Sequence, residues 1–338
     1  MRPFFRLSLW LTAGLLLCSR AAAFEVGWQP FNVAGASPVI AALYYPTQSA
    51  PRETAMGPFT VRAAIRAAPE ERFKGLIVLS HGLAGTELGH GRLAEALARD
   101  GYLVAAIRHA GDNWQDSSLL QRGAAAYFTE RPRQVSQLID ALLTDPRWKD
   151  RIASDAKGPR IGALGHSAGG YTVLALAGGQ VDLSQSARHC ERERSADPVF
   201  CGVGKDVAPS ASAPASPLLP SLRDPRVRAA VLMAPVGVPF TASSLAAIRV
   251  PVQIHVAMQD RFLVPRFHGE WIAQKMPQAV LRRVPNASHF AFMDKPSMPI
   301  ATPGGDIQED PPGFDRAASL AQLGPELAAF FNKAWPAP

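Results

Sequence analysis

From about residue 72 onward, two kinds of hydrophobic block take turns along this chain. Short, nearly solid apolar runs occur at Leu76-Ile77-Val78-Leu79, Tyr102 to Ile107, Arg160 to Leu164, Val227 to Met233, Val252 to Val256 and Ala279 to Val284. Runs this short and continuous fit strands buried on both faces. Between them the apolar residues spread out to helical spacing. Leu93, Ala94, Leu97 and Ala98 form one stripe; Val135, Leu138, Ile139, Leu142 and Leu143 form another, at i, i+3, i+4, i+7 and i+8. Gly170 to Ala177 reads as a buried helix, and further helices are expected near Pro265 to Met276 and from about Arg316 to Ala334. Strand alternating with helix predicts the α/β class, a mostly parallel sheet covered on both faces. Val39 to Tyr45 is a clear strand ahead of this pattern, so the N-terminal portion is expected to add antiparallel edge strands.

Two stretches break the rhythm. At the start, Arg2 and Arg6 precede an apolar run from Leu7 to Leu17, and Ala21-Ala22-Ala23 follows. A basic segment, a short apolar core and a small-residue site predict a cleaved secretory peptide over residues 1–23. The run is too short to span a bilayer comfortably, and Leu16-Leu17 before Cys18 does not suit a lipoprotein signal. The mature chain then begins near Phe24 as one domain, 24–338, with a periplasmic or secreted location and no stable membrane anchor. The second break is residues 180–225, with the charged run Glu191-Arg192-Glu193-Arg194 and a stretch rich in Ala, Ser and Pro from Pro209 to Pro220. This reads as an irregular insertion, a surface loop or a cap over whatever site the sheet carries.

Charge and cysteines narrow the picture further. The formal charge of +7 falls to +4 once the three leader arginines are removed, and no run of five like charges remains. Nothing in this distribution asks for nucleic acid. Cys190 and Cys201 survive cleavage and, in an oxidising compartment, are expected to be joined. A zinc site would need further ligands, and His189 is the only neighbour. Asp306, Glu309, Asp310 and Asp315 match no ordered calcium-loop spacing, so a solvated loop is the reading there.

The candidate chemistry centres on Gly165-His166-Ser167-Ala168-Gly169, which sits between a predicted strand and a predicted helix. A G-x-S-x-G in that setting is a nucleophile elbow, a tight turn that lifts a serine hydroxyl from the sheet edge beside a helix N-terminus. A serine is a poor nucleophile at neutral pH and needs a base, an acid to orient the base, and oxyanion donors. Of the eight histidines, four follow Ser167. His189 lies in the insertion, His255 inside an apolar strand and His268 on a predicted helix. His289 lies in a turn-rich loop at the end of the last strand, the edge where open α/β sheets place their sites. Asp260, just past the end of Val252 to Val256, is the matching acid; Asp294 follows His289 and breaks the expected order. Ala168 is the expected first oxyanion donor. Ser80-His81-Gly82-Leu83-Ala84-Gly85, after an earlier strand, supplies the second from Leu83. His81 and Trp114, in the loops after two strands, are candidate substrate contacts.

With Ser80-His81-Gly82-Leu83, the elbow, the Asp260 loop and Ser288-His289-Phe290, residues 72 to 295 resemble the α/β-hydrolase superfamily. Within it the chain looks like the dienelactone-hydrolase-like and platelet-activating-factor-acetylhydrolase-like esterases. It departs from the first in carrying serine where true dienelactone hydrolases carry cysteine. It departs from the second in ending the preceding strand with Met233-Ala234-Pro235, where no carboxylate stands. The resemblance implies the α/β-hydrolase fold and a cofactor-free serine hydrolase of carboxylic esters. Thioester, lactone or phospholipid acyl bonds could be cut by the same parts. A non-catalytic binding protein on the same fold is the rival reading.

Overall fold

The computed structural model describes residues 24–35, 38–203 and 216–335. The expected leader, residues 1–23, lies outside them. In chain order, β1 (Glu25–Val33), β2 (Val39–Thr47), β3 (Arg52–Met56) and β4 (Phe59–Ile65) precede the alternating part. That part runs β5 (Leu76–Ser80), α1 (Gly91–Arg99), β6 (Leu103–Arg108), α2 (Ser118–Gln121) and α3 (Ala124–Thr144). A two-residue hairpin pair, β7 (Ser154–Asp155) and β8 (Gly158–Pro159), leads into β9 (Ile161–His166), α4 (Ala168–Ala177) and α5 (Leu183–Glu193). β10 (Val227–Met233), α6 (Ala242–Ala247), β11 (Val252–Ala257), α7 (Gly269–Lys275) and β12 (Val280–Val284) follow. A second small hairpin, β13 (Ala301–Thr302) with β14 (Gly305–Asp306), precedes α8 (Arg316–Ala334).

Ten strands form one sheet in the order β12-β11-β10-β9-β5-β6-β2-β1-β4-β3. From β6 to β12 all neighbours are parallel. β2 joins antiparallel to β6 and to β1. The N-terminal strands extend the sheet, but not as purely antiparallel edge strands: β4 joins β1 parallel, and β2 is an interior strand, which explains why its nine residues are almost all buried. Odd and even positions go to opposite cores. Leu76 and Val78 of β5 face the layer holding α3, α4, α6 and α7, while Ile77 and Leu79 face α1 and α8. This two-sided burial is what the solid apolar runs encode. The exception is β12, an edge strand that is mostly exposed.

The chain crosses from β6 on one side of β5 to β9 on the other. At that reversal the loop after β5 and the loop after β9 stand side by side, the place where such sheets open a crevice. Two expectations are revised. The helix read from Pro265 to Met276 is interrupted: Pro265–Phe267 is a 3-10 turn and α7 begins at Gly269. His268 breaks it, at φ −120° and ψ −95°, and both its ring nitrogens are engaged outside the helix. The described parts of the 180–225 segment, residues 180–203 and 216–225, are more ordered than its composition suggests. Asp182 caps α5 by accepting from the Ser184 N–H at 2.9 Å, and Cys190 and Cys201 are bonded with their Cα atoms 5.3 Å apart. Residues 204–215, which include the start of the Ala/Ser/Pro-rich stretch, lie outside the described residues. No described helix is long and apolar enough to cross a membrane.

Candidate active site

Ser167 stands alone between the last residue of β9 and the first of α4, at φ 58° and ψ −119°. A side-chain-bearing residue there costs about 1–3 kcal/mol, so the surroundings must hold it. They do so through the Ser167 N–H, which donates to the Met233 carbonyl at 2.9 Å, and the Ser167 carbonyl, which accepts from Val236 N at 3.2 Å. The flanking glycines answer a different demand, close approach. A Cβ on Gly165 would sit 2.1 Å from the Gly169 carbonyl oxygen, and one on Gly169 would sit 1.9 Å from the Ser80 carbonyl oxygen. The elbow is thus pressed directly onto the end of β5.

Asp260 and His289 come from the loops after β11 and β12. Those loops are bonded to each other: Met258 N donates to the Val284 carbonyl and Gln259 N to the Ala287 carbonyl, at 3.1 and 2.8 Å. His289 Nδ1 donates to Asp260 Oδ2 at 2.7 Å. The other oxygen, Oδ1, accepts from the N–H groups of Phe262 and Leu263 at 2.8 and 2.9 Å, which fixes the carboxylate's orientation. Phe262 stacks on the His289 ring with centroids 4.8 Å apart. From behind, His166 Nε2 donates to the His289 carbonyl at 2.9 Å. Burial holds His166 neutral, its pKa pushed well down, with His289 adding to the effect. Ser167 and His289 line the same cavity.

The loop after β5 lies against the serine: a Cβ on Gly82 would be 3.2 Å from the Ser167 Cβ. Among the described residues no hydrogen bond uses the Leu83 N–H, and the Ala168 N–H opens α4, where helix donors have no partner within the helix. Between these two donors runs a buried network that the sequence reading did not identify. Arg131, fully buried on α3, is paired with Asp112 and donates to the His81 carbonyl. Its Nε donates to Thr172 Oγ1 on α4 at 3.1 Å. Asp112 Oδ1 accepts the Ala84 N–H at 2.8 Å, and Asp112 Oδ2 accepts from the Tyr127 hydroxyl at 2.8 Å. One guanidinium therefore ties the β5 loop to the elbow helix. The available signal was Arg131 itself, a charge on the extension of the apolar α3 stripe.

The cavity is about 920 Å³ and mostly apolar, with Leu120, Phe128, Leu183, Phe200, Phe262 and Ile300 among its walls. His81 and Leu83 line it. The His81 ring is nonetheless occupied: Nδ1 donates to the Gly82 carbonyl at 2.6 Å and Nε2 accepts the His109 N–H at 3.1 Å. Burial, reinforced by Arg131, lowers its pKa to about 4. His81 thus braces the loop and has no ring nitrogen left for a substrate. Trp114 does not line the cavity; the residue is 62% exposed. The Asn113–Asp116 bridge turns it outward while its N–H holds the Gly85 carbonyl at 3.1 Å. The 180–225 segment does reach the cavity, through Leu183, Ser186, Cys190, Val199, Phe200 and Cys201. Asp306, Asp310 and Asp315 serve turns, the Arg316 pair and the α8 cap, and no metal-holding group of three occurs among the described residues.

The architecture is the α/β-hydrolase fold. The chain is similar to the solved structure of a ferulic acid esterase from Streptomyces cinnamoneus, with a TM-score of 0.58, 19% identity, and 95% of this chain and 93% of that one covered. In sequence it is similar to two proteins of Thermobifida alba, cutinase est1 and cutinase est2, each 32% identical over 114 residues. That alignment takes in 34% of this chain, and the chain spans about a third of the length of these curated relatives. No family model matches.

Proposed function

We propose that this chain is a serine hydrolase of carboxylic esters, with Ser167 as nucleophile, His289 as general base and Asp260 as its orienting acid. The observation that carries this reading is the 2.7 Å bond from His289 Nδ1 to Asp260 Oδ2 beside a serine held at a strained elbow. That bond leaves the Nε2 lone pair to take the Ser167 proton as Oγ attacks the ester carbonyl. The oxyanion then forms beside the free N–H groups of Ala168 and Leu83. The imidazolium returns its proton to the leaving alkoxide, and water activated by the same base releases the acyl group. Cutinase and ferulic acid esterase as relatives support the ester class. The dienelactone-hydrolase-like branch, export by the N-terminal segment and a periplasmic or secreted location remain part of the same proposal.

The test is hydrolysis of p-nitrophenyl esters of rising acyl length, with Ser167→Ala as control and covalent labelling by a fluorophosphonate alongside. Ser167→Ala is expected to lower kcat by about 10⁵–10⁶ with folding intact. Retention of a tenth of wild-type activity, or no labelling of the wild type, overturns the reading and favours a ligand-binding role.

A further inference from the structure

The far end of the insertion, residues 189–203, forms one wall of the cavity through Cys190, Val199, Phe200, Cys201 and Val203. The Cys190–Cys201 bond closes this segment on itself and does not tie it to the sheet. Several of its hydrogen bonds are internal, such as Arg194 Nη1 to the Cys201 carbonyl and Cys201 N to the Asp197 carbonyl. Among the described residues, apart from the backbone bonds of α5 itself, one hydrogen bond joins 189–203 to the rest of the molecule: His268 Nε2 to Asp197 Oδ2, at 2.9 Å.

Asp197 is completely buried, and the same Oδ2 also accepts from His189 Nε2 at 2.8 Å. Its Oδ1 has no partner. On the far side of His268, Nδ1 accepts the Gly237 N–H at 3.1 Å. An acceptor at Nδ1 requires the proton on Nε2, so the backbone of Gly237 sets the tautomer that donates to Asp197. The neighbouring Val236 N–H holds the Ser167 carbonyl. A bonded path thus runs from the elbow to His268 and on to the outer wall. Phe200 packs on the His268 ring, centroids 4.9 Å apart, and His189 packs on Phe267 at 4.8 Å. A buried carboxylate shared by two imidazoles is an expensive way to hold a loop. It gives something that apolar packing lacks, a single defined position.

We infer that Asp197, with His189 and His268, is a positioning cluster that fixes the 189–203 wall and thereby sets the reach of the site for esters of large apolar acyl groups. This rests on the esterase reading above. None of the three side chains lines the cavity, so the cluster acts through the wall it holds. A short acyl group has no need of that wall, whereas a long one lies against Val199 and Phe200.

The test compares p-nitrophenyl acetate with p-nitrophenyl octanoate in wild type, Asp197→Asn, His268→Asn and His268→Gln. His268→Asn keeps an acceptor near the Nδ1 position for Gly237 but loses the reach to Asp197; His268→Gln keeps a donor near the Nε2 position. Asp197→Asn and His268→Asn are expected to raise KM for the octanoate about tenfold with kcat held. Acetate kinetics are expected to stay within about threefold, and His268→Gln to follow the wild type on both esters. Hydrogen exchange across 189–203 is measured in the same four proteins and requires no turnover. It is expected to speed up in the first two variants and not in His268→Gln. Equal losses on both esters, no loss on either, or unchanged exchange in His268→Asn overturns the inference. If Asp197→Asn does not fold, the His268 pair carries the test. A wild type that neither turns over nor labels at Ser167 overturns the esterase reading instead, and the exchange result then judges the clamp by itself.

Discussion

Two buried aspartates flank the imidazole of His289 in the sequence, and replacing each by asparagine should have opposite consequences. Asp260 Oδ1 is held by two backbone N–H groups, from Phe262 and Leu263. In Asp260→Asn those donors keep the amide oxygen on their side, which turns the NH2 toward His289. The amide cannot accept from Nδ1, so the imidazole is driven to the tautomer with its proton on Nε2, the wrong one to receive the Ser167 proton. The expected loss in kcat is roughly 10⁴, or about 5 kcal/mol of transition-state stabilisation, with little change in fold. Asp294 is set differently. Its Oδ2 accepts the Arg92 N–H at 3.0 Å while Oδ1 has no partner. Burial raises its pKa to about 7, with Glu95 adding to the effect. A folded-state pKa above the unfolded one means that the native state holds the proton between about 3.8 and 7, so stability is lost as pH rises through that window. The loss is complete above pH 7 and amounts to about 4 kcal/mol at most. Asp294→Asn keeps the acceptor for Arg92 and removes the charge. It should therefore raise the urea midpoint at pH 8 and leave kcat within about threefold. Both variants are assayed on one short-chain p-nitrophenyl ester and by urea unfolding at pH 8. A thousandfold loss at Asp294 with a tenth or more of the activity kept at Asp260 would refute the assignment of the acid.

Further outcomes follow from the same geometry. Arg131→Met leaves Asp112 buried without its cation and should destabilise by about 3–5 kcal/mol in urea unfolding. It should also lower kcat more than it raises KM, because the β5 loop loses its tie to α4; unchanged kcat would detach Arg131 from the oxyanion donors. His81 and His90 are buried neutral, desolvation lowering their pKa values to about 4 and about 3. The unfolded chain binds those protons first, so stability should fall as pH drops from about 6.5 through 4, by about 3 kcal/mol for His81 alone. Flat unfolding midpoints between pH 7 and pH 4 would contradict this. Mass spectrometry after alkylation of the unreduced protein should find neither Cys190 nor Cys201 modified.

Much of this arrangement was legible because it depends on local patterns repeated in order. Solid apolar runs marked β5, β6, β9, β10 and β11, and the G-x-S-x-G between β9 and α4 marked the turn where the strained serine sits. Asp260 and His289 could be found from chain order because the loops after β11 and β12 are neighbours in a parallel sheet. What stayed hidden depends on adjacency across long separations. Arg131 meets His81 fifty residues away, and His268 meets Asp197 seventy-one residues away. Neither pair has a local spacing to betray it. His268 even reads as an ordinary helix residue, yet its backbone lies outside helical geometry and both its ring nitrogens bond to other segments. Trp114 shows the reverse error: a large aromatic beside a site loop suggests contact, but one tight turn decides the side it faces.

The buried charges hold the two segments that meet at the strained elbow. A buried ion pair such as Arg131–Asp112 is a poor source of net stability, because desolvation of both ions offsets most of their attraction. Its position shows where it does help. The guanidinium spans the carbonyl of His81, the side chain of Thr172 and the carboxylate that holds the Ala84 N–H, which are the supports of the two segments that meet at Ser167. Apolar side chains of equal volume could fill that space, but they would leave the β5 loop free to slide by the few tenths of an ångström that separate an aimed N–H from a useless one. The Asp197 clamp repeats the device at the outer wall, again with a buried carboxylate whose partners come from separate elements. Charge is therefore buried where a loop must be held in one place, and the apolar core is left to supply the stability that this placement consumes.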